Sequence, residues 1–106
     1  MPVDAVTDLR ADQPLADRRL DHSYVAPASP VTLRVPPITL RIETSPRLRA
    51  VHVHTPERGI CVEPMTAWPN AANLAAAGVR GTGLASLPAG GRLMAAMTWR
   101  WTIDTA

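Results

Sequence analysis

Apolar and polar positions alternate strictly over two neighbouring stretches of the chain. Val31, Leu33 and Val35 alternate with Thr32 and Arg34. After Pro36-Pro37 the pattern resumes, with Ile38, Leu40 and Ile42 against Thr39, Arg41 and Glu43. A period of two in β-branched residues is the signal of a half-buried strand. Thr44-Ser45-Pro46 reads as a turn. Leu48 to Thr55 repeats the alternation, Val51 and Val53 opposing His52 and His54. Pro56 to Gly59 reads as a turn, and Ile60 to Glu63 as a short strand stopped by Pro64, with Cys61 and Glu63 sharing a face.

The remainder is more broken. Residues 1–20 are polar, acidic and weakly periodic, and read as extended or loop-like. Tyr24 and Val25 start a short strand that Pro27 and Pro30 end. Asn70 to Ala77 has the composition of one or two helical turns, with Asn before and Gly78 after. Leu84 to Leu87 reads as a strand, Pro88 to Gly91 as a turn, and Arg92 to Ile103 as the last strand, with Trp99, Trp101 and Ile103 on its core face. Six or so short strands joined by Pro/Gly turns predict an all-β, antiparallel β-sandwich.

Composition narrows the function classes. The 106 residues suffice for one small domain, and 11 prolines exclude long helices. The net charge is +2, all of the 11 cations are arginines, and they are scattered singly apart from Arg18-Arg19. A nucleic-acid surface clusters its cations and interleaves aromatics, so no nucleic-acid partner is expected. Cys61 is the single cysteine, so no internal disulfide forms. The start MPVDAVTDLR has neither a basic nor an apolar leader region, and no apolar run approaches the ~18 residues of a membrane span. These features predict a cytoplasmic chain without a membrane partner.

Two stretches carry a resemblance. Val53-His54-Thr55-Pro56, a turn, and then Cys61-Val62-Glu63-Pro64-Met65-Thr66-Ala67-Trp68-Pro69-Asn70-Ala71 resemble the strand, turn, acidic Glu-Pro-x-Thr segment and Pro-Asn/Asp-Ala loop of the aldose 1-epimerase (mutarotase) family. Leu20-Asp21-His22-Ser23-Tyr24-Val25, preceded by Thr7-Asp8-Leu9-Arg10, resembles the family's Asp-His/aromatic segment. Leu84 to Gly91 and Trp99 to Ile103 are similar to its closing turn and last strand. The resemblance covers nearly the whole chain but only the last third of the family's sandwich. It implies that residues 1–106 are a single partial domain, the C-terminal third of an aldose 1-epimerase-like β-sandwich.

The implied reaction interconverts the α and β anomers of a free hexose. A base takes the proton of the anomeric hydroxyl, an acid protonates the ring oxygen, and the ring opens, rotates and recloses. It needs no metal and no cofactor. By resemblance Glu63 is the catalytic base, expected in a partly desolvated position at a sheet edge, and Asp21 is substrate-binding, accepting hydrogen bonds from sugar hydroxyls. The family's two active-site histidines lie in contexts that no segment here resembles, so the isolated chain is expected to be weak or inactive. A bolder reading has His52 or His54 stand in for the acid.

Other residues have plainer readings. His52-x-His54 reads as a half-exposed strand face rather than a metal pair, since the pattern offers no third ligand. His22 reads as structural, Cys61 as a small buried apolar residue, and Trp68 as the aromatic best placed to touch a ligand. The alternative function is a non-enzymatic carbohydrate-binding or oligomer-forming β-domain. One third of a sandwich leaves strand edges and an apolar face uncovered, for a second copy or the missing portion to cover.

Overall fold

The computed structural model describes residues 18–25 and 30–104. Thr7-Asp8-Leu9-Arg10 lies outside these residues. The chain forms β1 (Asp21–Val25), β2 (Val31–Val35), β3 (Ile38–Thr44), β4 (Ala50–His54), β5 (Cys61–Met65), α1 (Ala71–Ala76) and β6 (Met97–Ile103). The strands make two three-stranded antiparallel sheets, ordered β1-β4-β5 and β2-β3-β6. The fold is the all-β, sandwich-like antiparallel arrangement that the alternation predicts. Among the described residues no helix is long and apolar enough to cross a membrane.

The two alternating stretches form a hairpin. Pro36-Pro37, joined by a cis peptide bond, occupies the turn between Val35 and its partner Ile38. Cross-strand partners share a face in an antiparallel sheet, so the register builds apolar rows across β2, β3 and β6. These rows are Val31–Ile42–Trp99, Leu33–Leu40–Trp101 and Val35–Ile38–Ile103. The opposite face carries Thr32, Arg34, Thr39, Arg41, Glu43, Thr98, Arg100 and Thr102. Hydrogen bonds clamp β6 at both ends: Ser45 N to Ala96 O (2.8 Å) and Asp104 N to Pro37 O (2.6 Å).

The core lies on the first sheet. Leu20, Val51 and Val53 are buried together, with Tyr24, Val31, Ile60 and Val62 packed against them. Leu20 is held there by its carbonyl, which accepts from Thr55 N (2.8 Å), and by its N–H, which donates to Thr55 Oγ1 (2.7 Å). Val31 brings one corner of the second sheet to this core, and Ile42 beside it is fully buried.

Several local expectations change. β5 does not stop at Pro64 but runs through it to Met65. It is an edge strand, where the N–H that proline lacks would have pointed away from β4. Leu84 to Leu87 forms no strand, and β6 begins at Met97 rather than Arg92. Its core assignment is also overturned: every residue of β6 is exposed, Trp99 at 48%, Trp101 at 66% and Ile103 at 67%. Alternation selects the face, but on this sheet the described residues bury only Ile42 fully, leave Val31, Leu33 and Leu40 half-buried, and leave the β6 side open. The helix follows Asn70 as expected. Asn70 takes a left-handed φ of 61° and makes no side-chain cap bond; its Oδ1 accepts instead from Asn73 Nδ2 (2.7 Å). The helix closes through Gly78 N to Ala75 O and Val79 N to Leu74 O, a Schellman end that needs the positive φ of Gly78.

Candidate functional site

Antiparallel register gathers the chemically active residues on one face of the first sheet. Asp21 pairs with His54, and His54 with Cys61. Ser23 pairs with His52, and His52 with Glu63. Side chains alternate along each strand, so these six share a face, in two adjacent rows. Val25, Ala50 and Met65 form the third row. His22 falls on the opposite, core-facing side, half-buried and edge-on to Tyr24 at 4.9 Å. Its Nε2 is buried and has no hydrogen-bond partner among the described residues.

His52 is the centre of the arrangement. Its Nε2 lies 2.6 Å from Asp21 Oδ1, and its Nδ1 lies 2.6 Å from Ser23 Oγ. An ionised carboxylate only accepts, so Nε2 carries the proton and donates to Asp21. In the neutral ring Nδ1 then accepts from the Ser23 hydroxyl. Both nitrogens are thereby occupied, and the ring is fixed between a buried serine and an aspartate that is 74% exposed.

A serine, a histidine and an aspartate in sequence of hydrogen bonds suggests nucleophilic catalysis. Burial argues against it. Ser23 is 2% exposed, so a substrate carbonyl has no approach to its oxygen. The chain of bonds instead aims the exposed Asp21 carboxylate. Sequence reading missed Ser23, although its place two residues after Asp21 puts it on the same strand face.

His54 differs from His52. Its Nδ1 is 3.3 Å from the Leu20 carbonyl, which only accepts, and 3.9 Å from Asp21 Oδ1. The Nδ1 proton is directed there, and Nε2 makes no hydrogen bond among the described residues. Glu63 stands beside His52 in the register on edge strand β5 and is open to solvent. The sheet-edge position matches expectation; the partial desolvation does not, because nothing among the described residues covers this edge of the face. Cys61, in the outer row with His54 and Asp21, is half-buried rather than buried.

Among the described residues no group of three or more His, Cys, Asp or Glu side chains is placed to hold a metal ion. The loop after β5 is anchored: Trp68 N donates to Thr82 O (2.7 Å), and Thr82 is buried. Gly83, at φ +80°, comes so close to the loop that a Cβ there would stand 2.2 Å from the Thr66 carbonyl oxygen. Trp68 is half-buried in this loop. Comparison with family models, with curated proteins and with solved structures finds no match to this chain.

Proposed function

We propose that the polar face of the β1-β4-β5 sheet is a hexose site of aldose 1-epimerase type, serving cytoplasmic free sugars. One observation carries the reading. The register sets Glu63 and Asp21, the base and the sugar-binding residue implied by resemblance, in adjacent rows of one face, with imidazoles between them. Glu63 takes the anomeric proton. Asp21, aimed by His52 and Ser23, accepts hydrogen bonds from ring hydroxyls. His54, as the imidazolium, delivers its Nε2 proton to the ring oxygen and keeps its Nδ1 proton directed at the Leu20 carbonyl. His54 and Glu63 are diagonal neighbours, ~7–8 Å apart with their Cβ atoms somewhat closer, and a sugar would stand edge-on between their side-chain ends. No redox step is involved, so no cofactor is called for.

A second reading, hexose binding without anomer exchange, is favoured by the openness of Glu63. An uncovered carboxylate lacks the water-excluded setting in which proton transfer to a sugar is fastest. Polarimetry of fresh α-D-glucose and α-D-galactose, run beside saturation-transfer NMR, separates the two. The expected result is hexose binding by wild type with slow exchange that Glu63→Gln abolishes. Binding with exchange at the buffer rate selects the second reading, and absence of both refutes each.

A further inference from the structure

The β2-β3-β6 sheet has an apolar face that the described residues cover most fully at one corner. Exposure rises along the rows away from that corner. Ile42 is at 0%, Ile38 at 43% and Val35 at 52%, while the β6 members of the three rows run from 48% at Trp99 to 67% at Ile103. Met97, next along β6, is 49% exposed. The exposed residues form one continuous patch, because the register makes them cross-strand or same-face neighbours.

The size of the patch is informative. A fully buried aromatic contributes roughly 150–250 Å². An aliphatic contributes roughly 60–120 Å², the area implied by usual transfer energies. Weighted by these exposures, the patch presents on the order of 300–550 Å² of apolar surface. A standard interface buries ~800 Å² on each partner, somewhat over half of it apolar, or about 450–500 Å². The range of areas on this face thus brackets what one side of a standard dimer interface buries.

Other occupants fit less well. Residues 1–17 offer Met1, Val3, Val6, Leu9 and Leu15, interrupted by Asp4, Asp8, Asp12 and Asp17, too few apolar groups to cover two tryptophans and their neighbours. Trp99 and Trp101, at i and i+2, suit the apolar face of a sugar. Yet Trp99 Nε1 is turned to Met97 Sδ at 3.2 Å, and apart from Thr44 at its end the face carries no polar side chain to receive hydroxyls.

We infer that this face is the contact surface of a two-fold homodimer, in which a second copy of the chain packs its β2-β3-β6 sheet face to face against the first. The patch is apolar and backed by a polar face, so a second copy offers it a like surface. Two such sheets about 10 Å apart make the second layer that each copy lacks. The inference does not rest on the reading of the β1-β4-β5 face.

Sedimentation equilibrium of the full chain, from roughly nanomolar to micromolar concentration, tests it. The expected result is a monomer–dimer equilibrium, with tryptophan emission shifting to the red on dilution. Trp101→Asp raises the dissociation constant about 30-fold or more, as loss of an interface anchor does. Arg100→Asp, on the opposite face of the same strand, leaves it within about threefold, as a position outside the interface does. If Trp101→Asp is unfolded by circular dichroism, Ile103→Asp replaces it. A wild type that is monomeric throughout overturns the inference. So does a dimer insensitive to the β6 face, or open-ended oligomers that Arg100→Asp disrupts as strongly as Trp101→Asp.

Discussion

The two sheets of this protein have the same number of strands and comparable alternation, yet they place their apolar faces oppositely. In β1-β4-β5 the apolar side closes over Leu20, Val51 and Val53, and the outward side gathers imidazoles and carboxylates. In β2-β3-β6 the outward side carries hydroxyls and arginines, and among the described residues the apolar side opens toward β6, away from the buried Ile42. The strand period thus decides which residues share a face, while burial depends on what the rest of the chain supplies to cover it. Leu20 and Ile60 cover the first sheet from just outside its strands. The connections of the second supply nothing comparable among the described residues: Leu84, Leu87 and Met94, upstream of β6, are themselves exposed.

The contrast is best broken at Leu20. Leu20→Ala empties the centre of the first sheet's core and is expected to cost about 2–5 kcal/mol in urea denaturation. Trp101→Ala, made on the open face and measured at concentrations where the chain is monomeric, is expected to cost under ~1 kcal/mol. Equal losses would mean that the second sheet is covered after all.

Ser23→Ala comes next. It leaves His52 Nδ1 without its buried partner, at an expected cost of about 1–3 kcal/mol. It also frees the ring, so on the proposed hexose-site reading sugar binding is expected to weaken while any Glu63-dependent exchange per bound sugar is retained, which titration beside polarimetry checks. Gly83→Ala probes the loop behind Glu63. The positive φ and the Thr66 carbonyl both oppose a side chain, so a loss of at least ~1 kcal/mol is expected in the same denaturation assay. The smallest effect belongs to Arg100→Ala. Its 3.6 Å pair with Glu43 lies on the solvated face, where such pairs contribute ~0–1 kcal/mol that salt screens further. Hydrogen exchange should rank the strands likewise, with amides of central β4 protected longest and those on the outer edge of β6 exchanging first.

Much of this was legible in the residues. The alternation from Val31 to Glu43 marks two strands, and the spacing of His52 and His54, or of Cys61 and Glu63, places each pair on one face. The meeting of those pairs with Asp21 and Ser23 was not legible, because it depends on register between strands far apart in sequence. The hydrogen bond from His52 to Asp21, for example, spans 31 positions. Pro64 reads locally as a stop, and only a place at the sheet edge lets β5 continue through it. Leu84 to Leu87 has strand composition but no strand partner among the described residues, and backbone pairing is what makes a strand. Trp99 and Trp101 have core chemistry, and no local pattern reveals that the described residues leave them exposed.

Pro64 also gives the molecule a direction of growth. With no N–H at that position, the outer edge of β5 offers an arriving strand an interrupted ladder, and addition there is blunted. The outer edge of β6 runs from Met97 to Ile103 without proline, its backbone groups unpaired on that side among the described residues. Concentrated or heated samples are therefore polar building blocks: recruitment by strand addition starts at β6, and β5 is the end that resists it. In this register the N–H of Ile103 points away from β3; a proline in its place would blunt the growing end as Pro64 blunts the other, and the lag before turbidity appears would lengthen accordingly.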